Sequence, residues 1–263
     1  MQAICNDLKL EYDELDACVT RLAEGDWDRL TPFYGWTIKD EISHLRYYDM
    51  AAVESLQGRE VFLSGFEALL KSMKPGDDLF DEINARGRKL PVKDLLTSWR
   101  ATREQLLAGL ARLDAKDRLA WYGPDMSARS FATARIMEIW AHGQDIFDAL
   151  KIRRQPSERL RHIAHMGVVT YGWTFMNRQL EVPETDVRVE LTGPSKTLWT
   201  WGPETATNLV KGQAEDFCLV ITQRRNVADT DLMIKGQAAS EWMAIAQAFA
   251  GPASDPPCLL YTS

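Results

Sequence analysis

Apolar residues recur every three or four positions through residues 4–23, 38–57, 92–113 and 128–150, with polar residues between them. That period marks an amphipathic helix laying one stripe against a core. Four long helices predict a bundle over the first 150 residues. Pro32, Gly35, Pro75-Gly76, Pro91 and Gly123-Pro124 punctuate it, and the less regular stretch 60–88 is expected to hold one or two shorter helices in a long crossover.

The texture changes after KIRRQPSE, where Pro156 and Ser157 open a helix expected over about 157–180. Short alternating segments follow, VRVEL at 187–191 and TLWTW at 197–201, separated by Gly193-Pro194, and they read as a hairpin. AEDFCLVITQRR at 214–225 predicts a helix, DLMIKG at 231–236 a strand and SEWMAIAQAFA at 240–250 a closing helix. Together these make a small α+β layer. The final DPPCLLYTS follows a Pro-Pro break and continues no upstream pattern. The fold expected is therefore mainly α: a bundle over 1–153, an α+β domain over 154–252, and a disordered or non-native tail over 253–263 that includes Cys258.

Composition narrows the partners. With 45% hydrophobic and 26% charged residues, the chain can build a packed core. The net charge of -7 comes with no basic patch beyond pairs such as Arg153-Arg154 and Arg224-Arg225. This argues against a phosphate-dominated nucleic-acid interface and for a small-molecule substrate. No apolar run approaches the roughly 18–20 residues that cross a bilayer. The N-terminus, MQAICNDLKLEYDELD, is acidic where a secretory signal is apolar, so a cytoplasmic protein without membrane partners is expected. Cys5, Cys18, Cys218 and Cys258 form no C-x-x-C pair and read as reduced thiols.

Candidate chemistry lies in RIMEIWAHGQDIFDAL. This helix is apolar almost all round, with Ile136, Met137, Ile139, Trp140, Ile146 and Phe147 spread over its circumference, and should be buried. Yet Glu138, His142 and Asp145 stand at i, i+4 and i+7, on one side. A buried carboxylate beside an imidazole is costly unless something satisfies both. A metal ion does so, because Glu-x-x-x-His places a carboxylate oxygen and a ring nitrogen one turn apart. His44, in WTIKDEISHLRYYD, is the natural third ligand, on the bundle-facing side with Tyr48 and Ala51. Two imidazoles and a carboxylate suit Zn2+, with Ni2+, Co2+ or Fe2+ as alternatives, and leave positions open for water or substrate.

Plainer readings compete at each residue. Glu138 with His142 also fits a helix-surface pair or a hydrogen-bonded core histidine. Asp40 fits a capping box with Thr37 as well as support of His44. Asp145 is balanced between second-layer support, an acid/base role and a buried salt bridge. His162 and His165 have no carboxylate at ligand spacing and read as structural or exposed.

GWTIKDEISHL, followed about a hundred residues later by MEIWAHGQDI, resembles the DinB-like, mycothiol-dependent maleylpyruvate isomerase family, and most of all its metal-binding relatives of actinobacterial type. The resemblance implies a DinB-like four-helix bundle with zinc on His44, Glu138 and His142, and a sterol-carrier-like second domain. It further implies a low-molecular-weight thiol such as mycothiol as cofactor, and an arginine at the end of a helix for a substrate carboxylate, matched by Arg224 after Gly212. Where the family reads Gly-Arg, this chain has Gln223-Arg224-Arg225, so Arg225 competes for that role. The function implied is a metal- and thiol-dependent transferase or isomerase acting on a small carboxylate-bearing electrophile, with Asp145 orienting a ligand or moving a proton. A metal-dependent hydrolase, or a metal-stabilised carrier of an apolar ligand, are the rival readings. Oligomeric state is not fixed by any of these features.

Overall fold

The computed structural model describes residues 1–257; Cys258 and the rest of the expected tail lie outside the described residues. Met1–Arg153 and the chain from Arg154 onward form two compact units.

In the first unit, α1 (Gln2–Val19), α2 (Ile38–Gln57), α5 (Val92–Leu110) and α6 (Ala128–Leu150) are the four long helices, and α3 (Arg59–Ser72) and α4 (Leu79–Arg88) fill the crossover. A two-residue ladder, β1 (Arg118–Leu119) against β2 (Met126–Ser127), leads into α6. Leu8, Tyr12 and Leu15 of α1, Ile42 and Leu45 of α2, Trp99 and Leu106 of α5, and Ile136 and Ile139 of α6 are fully buried. Each such side chain contributes about 1.5–3 kcal/mol of burial, and their three-and-four spacing brings the helices together.

One charged pair sits inside that core. Arg135 of α6 donates through Nε and Nη2 to Asp49 Oδ1 of α2 at 3.1 and 2.8 Å, and both side chains are buried. Tyr12 Oη and Trp99 Nε1 donate to the same carboxylate at 2.6 and 3.1 Å, so three helices meet on Asp49.

The start of α2 is fixed by a capping box. Asp40 N–H donates to Thr37 Oγ1 at 3.2 Å, and Thr37 N–H returns a bond to Asp40 Oδ2 at 3.0 Å. Arg88 at the end of α4 adds a two-pronged contact to the Asp40 carboxylate at 2.7 and 2.9 Å. Asp40 thus locks α4 onto the first turn of α2.

The second unit has α7 (Leu160–Val169) and α8 (Tyr171–Met176), then β3 (Val187–Thr192), β4 (Leu198–Trp201), β5 (Asn208–Gln213), α9 (Ala214–Ile221), β6 (Met233–Lys235) and α10 (Gln237–Ile245). The sheet order is β4-β3-β5-β6, with β3 and β5 parallel and the other pairs antiparallel. Val189, Leu191, Trp199 and Val210 are buried on one face, as period two requires, and α9 and α10 pack on β5. The hairpin forms as expected, whereas β5 has no counterpart in the sequence reading: NLVKGQ is half polar, and its pairing with β3 is a long-range event.

The helix expected over 157–180 breaks at Thr170 into two, and the helix expected over 240–250 is displaced to Gln237–Ile245. The helix expected over 214–225 stops at Ile221. There Gln223 takes φ +59, while Gln223 N–H and Arg224 N–H bond to the carbonyls of Val220 and Leu219 at 3.0 and 2.7 Å. This is a Schellman closure, whose left-handed position usually holds glycine. Gln223 is held in it by its side chain, which donates to the carbonyls of Ala246 and Ser254 and accepts from Ser254 Oγ. Within the segment expected to fray, Ser254 and Asp255 are therefore described in contact with the unit, Asp255 through Arg178. Among the described residues no helix is long and apolar enough to cross a membrane.

Candidate metal centre

α2 and α6 are packed neighbours, and each carries polar residues on the face it turns to the other. Glu41 and His44 are three apart on α2; Glu138, His142 and Asp145 follow one stripe of α6. Ligand atoms of His44, Glu138 and His142 all lie within 4.8 Å of one another. His142 Nε2 is 3.3 Å from Glu138 Oε2. Two ligands sharing one tetrahedral ion at roughly 2.0–2.1 Å stand about 3.4 Å apart, so this pair has the spacing of a common ion. The remaining separations require a closure of about 1 Å on the same geometry.

His142 is held on its other side by a residue that the sequence reading missed. Glu41 Oε2 lies 2.7 Å from His142 Nδ1, and Thr31 Oγ1 donates to Glu41 Oε1 at 2.7 Å. An ionised carboxylate only accepts, so Nδ1 carries the proton and Nε2 presents a lone pair toward Glu138 and His44. Glu41 is fully buried in the first turn of α2, where the exposed N–H ends of the helix favour a negative charge. Its signal was present in E-x-x-H, which places Glu41 and His44 on one side of a helix. The neighbouring T-x-x-D capping pattern drew attention to Asp40 instead.

Asp145 is buried, with Oδ2 3.9 Å from His142 Nδ1. It therefore stands behind the ring, on the Glu41 side, away from the edge shared by His44 and Glu138. Glu41, His142 and Asp145 form a second group close enough to hold an ion, but the His142 nitrogen they surround is the one bonded to Glu41.

Aromatic rings enclose the imidazoles. Trp36 lies nearly parallel to His142 (interplanar angle 11°) at 6.0 Å and 5.0 Å from His44; Phe33 meets His142 edge-on at 5.3 Å. Both come from the turn 31–36, closed by a Leu30–Thr37 bridge and by Thr31, whose hydroxyl also donates to Trp36 O at 3.0 Å. Gly35, at φ +71, lets that turn close. Tyr48 and Phe80 complete the surround at 4.6 and 5.8 Å from His44. His44 and His142 are nearly closed off, whereas the Glu138 side chain keeps 25% of its surface, so this is the accessible edge. Burial, with the Glu138 carboxylate nearby, pushes the Tyr48 phenol well above its ordinary pKa and keeps it an O–H.

The other sequence candidates lie in the second unit. Arg224 is buried at the end of α9, its backbone fixed by the Schellman closure and its Nη1 donating to Thr222 O at 2.7 Å. The Arg225 guanidinium donates to Arg224 O at 2.6 Å. His162 is half-buried and His165 exposed on α7, and neither belongs to a group that could hold an ion.

Comparison with known proteins places this geometry. Residues 8–147 match the family model of the mycothiol maleylpyruvate isomerase N-terminal domain. Two Mycobacterium tuberculosis proteins, the uncharacterized protein MT0041 of strain CDC 1551 and the uncharacterized protein Rv0036c of strain H37Rv, are each 43% identical over 251 residues, spanning 94% of this chain and 95% of theirs. Among solved structures, the mycothiol-dependent maleylpyruvate isomerase and its histidine-to-alanine mutant align with TM-scores of 0.56 and 0.57, over 85% of this chain and 89% of theirs. At 16% identity that likeness establishes the fold, a helical bundle followed by a small α+β layer. With its bundle matched from residue 8 to residue 147, the chain belongs to the mycothiol maleylpyruvate isomerase N-terminal domain family.

Proposed function

We propose that this protein is a metal- and thiol-dependent enzyme that isomerises, or transfers a group to, a small carboxylate-bearing electrophile, and that His44, Glu138 and His142 hold its divalent ion. The observation that carries the reading is the convergence of three ligand atoms from two packed helices within 4.8 Å, with the fourth side left to an accessible edge. The donor set, two imidazoles and a carboxylate, fits zinc. Bound there, zinc would lower the pKa of a thiol and present it as a nucleophile at neutral pH.

The chain's own residues have separable tasks. Glu41, braced by Thr31, orients His142 and fixes its proton on Nδ1. Asp145 adds a second negative charge behind the same ring, which favours an orienting role over proton transfer to a substrate. Trp36 and Phe33 exclude water from the imidazoles. Arg224, held by the closure of α9, is the proposed receptor for a substrate carboxylate. The family's name and the isomerase neighbours support mycothiol as the thiol.

The reading is tested with zinc-loaded protein, mycothiol and maleylpyruvate as the trial electrophile. Turnover should need both metal and thiol, and thiol binding should release a proton, so that the calorimetric heat varies with the ionisation enthalpy of the buffer. Metal-loaded protein that binds no thiol at millimolar concentration would overturn the thiol-dependent reading.

A further inference from the structure

Beyond the accessible edge of the centre the bundle presents a wall of aromatic rings. Tyr48, one turn after His44 on α2, packs against Tyr47, Trp121 and Tyr122 at 5.2, 6.2 and 5.6 Å between ring centres. Trp121 and Tyr122 sit, half-buried, in the segment that joins β1 to β2. Trp121 is held from behind, stacked on Phe62 at 5.7 Å and edge-on to Phe131 at 4.9 Å. Its plane is set by packing rather than by any ligand.

The three tyrosines of this wall differ in one respect. Tyr122 Oη donates to Tyr47 Oη at 3.4 Å, so those hydroxyls face each other. The Tyr48 hydroxyl bonds to no described residue, although its ring is largely enclosed. A phenol that is apolar along its body and unsatisfied at its tip is suited to a ligand that stacks and also offers an acceptor. The nearest cations do not compete for that ligand: Arg135 is committed to Asp49 and Arg88 to Asp40.

We infer that this wall is the substrate subsite of the centre, that it takes a planar, conjugated group lying against Tyr48 and Trp121, and that the Tyr48 hydroxyl donates to an oxygen of that group. The inference rests on the proposed metal centre and names the substrate class it serves. Tyr48 is a binding and specificity residue here, and its ring also forms part of the surround of His44.

The test uses hydroxamates, which chelate zinc and differ only in what they carry. Acetohydroxamate, cyclohexanecarbohydroxamate and benzohydroxamate are titrated calorimetrically into full-length, zinc-loaded protein. Benzohydroxamate should bind about tenfold more tightly than either of the others, because stacking adds to burial. Tyr48→Phe should weaken benzohydroxamate about fivefold, the loss of one hydrogen bond, while zinc affinity and Tm stay at wild-type values. Tyr48→Leu should abolish the preference for the aromatic ring and still take up zinc. Equal affinity for the planar and cyclohexyl probes, or a ring preference that survives in Tyr48→Leu, overturns the subsite. Wild-type affinity in Tyr48→Phe overturns the role of the hydroxyl. Failure of the metal reading looks different: the protein then takes up no zinc and binds none of the three probes.

Discussion

Replacing Glu41 by Gln keeps the shape of the side chain and removes its charge, and it isolates what this residue does for His142. In the structure the Glu41 carboxylate is fully buried, 2.7 Å from Nδ1 and 2.7 Å from the Thr31 hydroxyl. A hydrogen bond to a charged group contributes about 1.5–3 kcal/mol. Partners behind a metal ligand typically account for about 10–100-fold in metal affinity, or roughly 1.4–2.7 kcal/mol. The two ranges overlap, so we expect Glu41→Gln to weaken zinc binding by about 10–100-fold, measured by competition with a chelator of known affinity. Thr31→Val removes only the brace and should cost a few-fold, about 1 kcal/mol or less. If Glu41→Gln folds with an unchanged Tm and its zinc affinity stays within about twofold of wild type, Glu41 does not orient His142 and that part of the reasoning fails.

Two further outcomes concern the scaffold. Arg135→Met strands the Asp49 carboxylate in the bundle core, and urea denaturation should register a loss of about 3–5 kcal/mol, most of it recovered in the double variant Asp49→Leu/Arg135→Met; a loss under about 1 kcal/mol would mean the pair is not buried as described. For Asp40, burial alone would raise the carboxyl pKa, but the Arg88 fork and the Thr37 bonds outweigh it and hold it below the ordinary carboxylate value. Its folded pKa therefore lies under its unfolded value of about 3.9, so the stability it confers is present above that pH and lost as pH falls through the folded pKa. Acid titration of Tm should be flatter below about pH 4 in Asp40→Asn than in wild type, and parallel curves would refute this assignment.

The bundle was legible because its helices are long and their apolar stripes regular: each of the four expected helices matches an observed one within a few residues at its ends. The capping box at Thr37 and Asp40 was likewise written locally, in four residues. What escaped was non-local. Strand β5 exists through its pairing with β3, and α9 stops early because Gln223 accepts a left-handed conformation secured by Ser254 and Ala246, far along the chain. At the site, the spacing of Glu138 and His142 placed them together, and His44 came to them across the α2–α6 contact. Glu41 was hidden because a buried carboxylate next to a capping motif looks like ordinary first-turn chemistry. Its partner, His142, is 101 residues away.

The account turns on whether His44, Glu138 and His142 bind an ion, and elemental analysis of protein purified without chelator addresses this directly. The prediction is about one divalent ion per chain, zinc by preference, with the ion lost in a His142→Ala variant whose circular dichroism still reports an intact bundle. A wild-type protein that is folded, carries no metal and acquires none from added zinc or nickel would contradict it.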